Sequence, residues 1–272
     1  MTTDAQRYKI HLLLLLLSTH LSFTIASDAI PTPYVSPRTL IDGRITLYDS
    51  NGKPVIHEND ESSTCESSSS TTGVKISPVM GCCETSVEGE YQHVEIGAMP
   101  QMDTDEAMQA LDSAKEAWSG GSGTWPQMSM SDRIRCVEDL LDKLSVVRDE
   151  IVNLLMWEIG KNYDDAQAEF DRTVLFVRQL IDALKERDDL HGSWVDVKGT
   201  KAFVRRAAIG IIMCLGPFNY PLNETYATLI PALLMGNVVL LKIPTVGGLV
   251  HLLTMQAFSE ALPPGLLESL IL

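Results

Sequence analysis

Basic residues are scarce in this chain. It has 272 residues, with 21 Lys and Arg against 36 Asp and Glu, a formal net charge of −15 at pH 7. A phosphate-backbone partner needs a basic footprint. Nucleic-acid binding is therefore excluded as a main role, although one local basic pocket for a small anion is not. Cysteine is sparse as well: five residues are far from the density of a small disulfide-built scaffold. Nothing near the adjacent Cys82 and Cys83 supplies Cys/His spacing for zinc. They read as ordinary thiols in a loop or edge strand, and no metal is expected. After the first thirty residues, no apolar run reaches membrane-span length without a charge or a turn breaker. What is present, 45% hydrophobic and 21% charged, is ordinary globular composition, which rules out a wholly disordered or a fibrous chain.

The N-terminus is built differently. Arg7, Lys9 and His11 precede six leucines, Leu12 to Leu17, and apolar residues continue to Ala26. A basic start, an apolar core and small residues at Thr24 and Ala26 follow the order of a secretory signal. Residues 10–26 make 17 positions, short of the about 20 that a membrane span wants. The expectation is a signal or targeting segment over 1–26 that leads to the secretory pathway or an organelle, with membrane contact only through that segment. A retained anchor and a misplaced start codon before a cytoplasmic protein are the alternatives.

Residues 27–100 read as a leader and N-terminal strands. Ile41 to Tyr48 alternates as a strand, and Asp49 to Pro54 closes it with turn residues. Residues 58–73 are acidic and Ser-rich and make a solvated loop. From 101 the pattern is helical. Asp103 and Glu106 have capping-box spacing, and Ala107, Leu111, Ala114 and Trp118 share a face. Ser131 opens a second helix, and a third is stopped by Gly160. A long helix follows from Tyr163 to Leu184, whose acid–base alternation suggests a solvated face.

After Trp194 the period changes. The apolar run Ala207 to Leu215 has the signature of a strand buried on both faces of a parallel sheet. A turn (Gly216 to Pro221), an apolar helix, a second strand (Val238 to Leu241), a second helix and a third strand from Leu266 follow. Strand, helix and strand in this order imply a right-handed crossover. Ligands of such sheets bind outside the carboxyl ends of the strands. One end offers Asn219, a carboxamide between two prolines that can donate to a developing oxyanion, although a turn asparagine more often caps a helix. The other offers Lys242 and Thr245, fit for ribose hydroxyls or a phosphate, although a lysine there also fits plain snorkelling.

Arg206 to Gly210, Gly216-Pro217-Phe218-Asn219-Tyr220-Pro221-Leu222-Asn223-Glu224, Pro231 to Asn237 and Leu241-Lys242 together resemble the aldehyde dehydrogenase superfamily. Trp125-Pro126-x-Met128, Glu158-Ile159-Gly160-Lys161 and Glu169-Phe170-Asp171-Arg172-Thr173 fit the same family. Within it the chain looks most like the NADP-dependent non-phosphorylating glyceraldehyde-3-phosphate dehydrogenases. The resemblance implies an α/β fold, the N-terminal part of an aldehyde dehydrogenase: a helical region, then the first half of a Rossmann-like sheet, over 101–272. It implies oxidation of an aldehyde, glyceraldehyde 3-phosphate, with NADP or else NAD, by a homo-oligomer at full length. Asn219 matches the oxyanion asparagine, Arg172 and Tyr220 match contacts to the phosphorylated aldehyde, and Lys242, Thr245 and Gly216 fall in the cofactor site. A glutamate is common at the position of Thr245 in NAD-preferring members, and a hydroxyl there accepts a 2′-phosphate. The family's catalytic cysteine and general-base glutamate match no residue here, and Cys214 reads as core. The expectation is a truncated enzyme, inactive alone. The alternatives are a non-catalytic interaction or regulatory module, and a secreted acidic scaffold. Ile243, between Lys242 and Pro244, departs from the usual Lys-Pro.

Overall fold

The computed structural model describes residues 35–41, 44–51, 53–55, 74–84, 91–186, 193–204 and 207–271. The expected signal segment, the leader to residue 34 and the Ser-rich loop at 58–73 lie outside these residues. Five helices form the first half of the architecture's interior: α1 (Thr104–Trp118), the single turn α2 (Thr124–Gln127), α3 (Met130–Val146), α4 (Arg148–Ile159) and α5 (Tyr163–Lys185). The starts are local. Asp103 accepts from the Glu106 N–H at 2.9 Å while Glu106 Oε2 accepts from the Asp103 N–H at 2.9 Å, the reciprocal box that satisfies two orphan donors. Ser129, rather than the expected Ser131, caps α3 by accepting from Asp132 N–H at 3.1 Å. Asn162 does the same for α5. Gly160 ends α4 at φ 72°, a left-handed turn that costs glycine nothing.

Three small antiparallel units precede or interrupt the helices. The strand expected over 41–48 is instead a hairpin of β1 (Arg38–Ile41) and β2 (Arg44–Tyr48), joined by β3 (Pro54–Val55). The alternation hid a reversal: Arg38 to Ile41 pairs antiparallel with Arg44 to Leu47. Strands β4 (Lys75–Glu84) and β5 (Tyr91–Gln101) form a long ribbon with an irregularity at Val79/Met80. Cys82 and Cys83 are on its β4 edge. The pair β6 (Ser193–Val197) and β7 (Thr200–Val204) stands apart.

The last unit is a parallel sheet of β8 (Ile211–Leu215), β9 (Val238–Lys242) and β10 (Leu267–Leu270), in the order β10-β9-β8. Helices α6 (Pro221–Leu234) and α7 (Leu249–Ala261) connect the strands. Asn237 fixes the return from α6: its Oδ1 accepts from Ile209 and Gly210 N–H at 2.7 and 3.1 Å, and its amide donates to Ala232 O at 3.0 Å. Trp125, fully buried, donates to Leu233 O at 2.9 Å, and Arg133 Nε donates to Leu234 O at 2.8 Å. The helical unit thereby closes the C-terminal carbonyls of α6. Ser269 joins the N-terminal hairpin to β10, accepting from Leu40 N–H at 2.8 Å.

Strand β9 is buried along its length, as expected, but β8 is not. It is the sheet edge, and Met213 and Leu215 are 56% and 64% exposed while Cys214 between them is buried. An apolar run signals a strand with two covered faces only where something covers both. Each such side chain forfeits about 1.5–3 kcal/mol by staying in water. The purified chain is therefore expected to bind a hydrophobic dye at this edge, and the pair Met213→Lys and Leu215→Glu to lower that signal and raise solubility. Dye binding that ignores both changes would place the open surface elsewhere.

His251 on α7 is 2% exposed and stacks on Tyr226 with ring centroids 6.3 Å apart. Neither ring nitrogen makes a hydrogen bond of ordinary geometry to a described residue, although the Pro221 carbonyl lies near enough to act on the ring. Burial pushes the imidazole from 6.5 down to about 4, against a weaker upward pull from the Pro221 carbonyl. The folded ring is neutral while the unfolded chain takes up a proton below its ordinary value. The contribution to stability is full above pH 6.5 and is lost as the pH falls toward 4. His251→Leu is expected to flatten the decline of Tm across that window. Equal slopes in the two proteins would assign the acid sensitivity to another group.

Candidate functional site

The carboxyl ends of β8 and β9 open into two adjacent loops, 216–220 and 243–248. Gly216 N–H donates to Lys242 O at 3.1 Å and so extends the strand pairing by one step. A Cβ at Gly216 would stand 2.9 Å from both Pro244 Cδ and Thr225 Oγ1. The glycine is thus what lets the two loops approach.

Helix α6 begins at the end of the first loop, with Tyr220 at its N-cap position and Pro221 at N1. A tyrosine has no short side-chain oxygen with which to cap, and none of the loop's side chains does so. The acceptor comes from another helix. Glu169 on α5 is 1% exposed, and its Oε1 accepts from the N–H groups of Leu222 and Asn223 at 3.0 and 3.1 Å. Its Oε2 pairs with Lys161, whose side chain is 13% exposed. Lys161 Nζ also stands 3.7 Å from the centroid of the Tyr220 ring, a cation–π contact. One turn on, Thr173 Oγ1 accepts from the Asn223 amide at 3.2 Å. The face of α5 that the charge pattern suggested was solvated therefore carries a buried ion pair, because two helix N–H groups and an ammonium satisfy the carboxylate.

Asn219, next to this frame, is exposed and makes no hydrogen bond to a described residue. The ordinary work of a turn asparagine is done by Glu169, so its amide is free to meet a ligand. Tyr220 is 40% exposed. Arg172, three residues after Glu169 on α5, is exposed and has no ion pair with a described residue. The sequence-predicted residues Asn219 and Tyr220 are thus brought to one rim, held through the helix that bears Arg172.

The second loop repeats the device. Helix α7 starts after Gly247-Gly248, which have no side chain to cap it. Glu158, the penultimate residue of α4, accepts from Gly247 and Gly248 N–H on Oε1 at 2.8 and 2.9 Å and from Leu249 N–H on Oε2 at 3.1 Å. Burial raises this carboxyl to about 7, the three N–H donors pulling the other way. Thr245 is exposed on the loop, and Lys242 is half-buried at the strand end without an ion pair to a described residue. A cavity of about 290 Å³ lies between this loop and the β4–β5 ribbon, lined by Glu158, Thr245, Val246, Ser77, Met99 and Gln101 among others.

An uncompensated lysine beside an exposed hydroxyl fits a ribose or phosphate. The helix N-termini do not add a phosphate cradle, because Glu158 and Glu169 already fill both. Cys214 Sγ lies 2.9 Å from Thr228 Oγ1, and burial pushes its thiol up, which is the wrong direction for a nucleophile. Among the described residues, no group of three His, Cys, Asp or Glu side chains is placed to hold a metal, and no helix is long and apolar enough to cross a membrane. Sequence reasoning missed the roles of Glu158 and Glu169. The only local signal was the absence of a capping residue before either helix.

Comparison with known proteins gives a consistent picture. The model of the aldehyde dehydrogenase family matches residues 84–271. The NADP-dependent glyceraldehyde-3-phosphate dehydrogenase of Streptococcus equinus is 34% identical over 181 residues, 65% of this chain and 37% of that one. An N-succinylglutamate 5-semialdehyde dehydrogenase of Ectopseudomonas mendocina (strain ymp) is 31% identical over 162 residues, 59% of this chain and 33% of the other. Among solved structures, the NADP-dependent glyceraldehyde-3-phosphate dehydrogenase of Bacillus halodurans C-125 complexed with NADP has the same fold, with TM-score 0.66 at 23% identity. That match covers 87% of this chain and 43% of the other. The chain therefore spans well under half the length of these relatives.

Removing Glu169 leaves two buried helix N–H groups and a largely buried ammonium unpaired. Glu169→Ala is expected to cost about 3–5 kcal/mol in urea unfolding, the usual penalty for breaking one side of a buried pair. A loss under about 1 kcal/mol would mean that water or another group caps α6.

Proposed function

The chain belongs to the aldehyde dehydrogenase family, and from that premise we propose that it carries the oxyanion donor and the adenosine-side contacts of an NADP-dependent enzyme that oxidises an aldehyde to the acid. The observation that carries this reading is Asn219: an exposed amide on a rigid rim, released from capping by Glu169. Its N–H donates to the oxygen of an aldehyde as charge develops there, which is worth most when the donor is fixed beforehand. Lys161 and Glu169 fix the turn, and Gly216 sets its distance from the second loop. Lys242 holds the ribose, and Thr245 accepts the 2′-phosphate. NADP, when bound, takes the hydride. The proposed substrate is glyceraldehyde 3-phosphate: Arg172 offers its phosphate a bidentate, permanently charged fork, with Tyr220 beside it. The 34% identity to an enzyme of that name supports this choice.

Cys214 does not supply the attacking thiolate. The purified 272-residue chain is expected to give no NADP-dependent oxidation of glyceraldehyde 3-phosphate above background, because the covalent route needs that thiolate. Turnover that Cys214→Ser abolished would overturn this. The catalytic assignment is tested by joining the chain at its C-terminus to the remaining segment of the Streptococcus equinus relative. In that protein Asn219→Ala is expected to lower kcat by roughly a hundredfold to a thousandfold. Lys242→Ala is expected to weaken NADP and spare kcat at saturation. Thr245→Glu is expected to penalise NADP more than NAD, since it sets a carboxylate against the 2′-phosphate. An Asn219→Ala effect confined to cofactor affinity, or an unmoved cofactor preference in Thr245→Glu, would contradict the assignment. A joined protein that folds but has no activity favours the non-catalytic module.

A further inference from the structure

The parallel sheet has two edges, and they are finished differently. Strand β10 is closed by its neighbours: Glu268 accepts from Ser113 Oγ at 2.6 Å, and Ser269 Oγ accepts from Leu40 N–H at 2.8 Å, both residues being buried. Strand β8 ends the sheet on the other side, and no described strand lies beyond it. Natural edges are blunted by a charge, a proline or a bulge. The ribbon strand β4 has Lys75, Pro78 and the irregularity at Val79/Met80, and the β6–β7 hairpin has Asp196 and Lys201. Strand β8 has none of these: Ile211-Ile212-Met213-Cys214-Leu215 is apolar throughout, and no charged residue occurs from Ala207 to Asn223. We propose that this edge is a docking surface for a second copy of the chain, which pairs its own β8 antiparallel to the first across a two-fold axis at Met213.

The backbone sets the register. Val238 N–H donates to Gly210 O at 3.2 Å, and Gly216 N–H donates to Lys242 O at 3.1 Å. Along a parallel pair, alternate residues turn their bonding groups to the same neighbour. The even residues of β8 therefore face β9, and the N–H and C=O of Ile211, Met213 and Leu215 face the open side. Set antiparallel, two such strands use all three residues in one register: Met213 against Met213 of the second copy, with Ile211 against Leu215 at either end. Each pair then exchanges both backbone bonds. The edge is thus its own complement, because the register that fills every bonding group is the symmetric one. Cys214 points to α6, with its Sγ 2.9 Å from Thr228 Oγ1, so the odd side chains share the opposite face. Met213 and Leu215 are exposed there, and pairing lays each against an apolar partner. The outer face of these side chains stays open to a dye. With a net charge of −15, copies of the chain repel one another. An uncharged strand adds nothing to that repulsion, and two-fold symmetry closes the assembly at two copies.

The test is sedimentation equilibrium of the 272-residue chain, together with cysteine cross-linking. A monomer–dimer equilibrium without larger species is expected, and it needs no part of the activity proposed above. Met213→Lys sets two ammonium groups opposite each other at the axis and is expected to raise the dimer dissociation constant about tenfold or more. Under oxidation, Met213→Cys is expected to give a disulfide-linked dimer, since the Cα atoms of a hydrogen-bonded antiparallel pair lie about 5.5 Å apart, within disulfide reach. Leu215→Cys alone is expected to give none, because its two copies stand roughly 14 Å apart along the strands. Mixing it with Ile211→Cys is expected to restore the link. Wild type, oxidised in parallel, gives the background from its own five cysteines. Leu215→Cys linking to itself as readily as Met213→Cys, or species beyond the dimer, would mean association without register and overturn the proposal. A chain that is monomeric at every concentration would overturn it too. So would a dimer that Met213→Lys leaves intact, which would place the contact elsewhere, as at the exposed Trp194 and Phe203 of the β6–β7 hairpin. Should Met213→Lys not fold, the cross-linking series decides.

Discussion

Two glutamates, Glu169 buried and Glu158 partly so, hold the rest of this structure in register. Glu158 and Glu169 each cap a helix to which they do not belong, one at the start of α7 and one at the start of α6. A helix N-terminus leaves orphan N–H donors that must find acceptors. Ordinarily the preceding residue supplies them. Here neither Tyr220 nor Gly248 does, and the helical unit α4–α5 provides both carboxylates. The parallel sheet and the helical unit are therefore joined by charge-assisted bonds at the edge where ligands of such sheets bind.

This delegation explains how a structural rim can also be a chemical one. A residue that must cap a helix cannot aim its side chain at a ligand. With α6 capped from α5, the turn 216–220 keeps a fixed backbone, and Asn219 and Tyr220 face outward. With α7 capped from α4, the second loop can be glycine-rich and close, as the approach of Gly216 to Pro244 requires. The arrangement carries a cost of its own. Glu169 is out of water and Glu158 partly so, and the donors each receives are what compensate it, so each is sensitive to a charge brought near. That sensitivity is low for Glu169, which Lys161 neutralises, and higher for Glu158, which pairs with no cation among the described residues.

Much of this was legible in the sequence, and the parts that were not share a physical reason. The capping box at Asp103 and Glu106, the stop at Gly160, the buried run Val238 to Leu241 and the strand–helix–strand order are written in neighbouring residues, and the structure has them. The positions of Asn219, Lys242 and Thr245 at strand ends follow from that order. What failed depends on distance along the chain. Glu169 meets the α6 N-terminus 53 residues away, and Glu158 meets α7 across 89 to 91. No local pattern announces such partners, so a buried glutamate in a charged helix reads as solvated. The exposure of Met213 and Leu215 has the same origin: an apolar strand records that it is to be covered, not whether a neighbour is present to do so. The pairing of Arg38–Ile41 back on Arg44–Tyr48 was missed because two short strands alternate as convincingly as one.

The central claim is that Asn219 is spared from structural work by Glu169, and stability rather than activity tests it most directly. The measurement is the urea unfolding free energy of Asn219→Ala beside wild type. If Glu169 is the cap, the loss is within about 0.5 kcal/mol, as for an ordinary exposed position. A loss of about 1–2 kcal/mol, that of a missing helix cap, would mean that Asn219 holds the start of α6 itself, and its assignment to the reacting carbonyl would lose its structural basis.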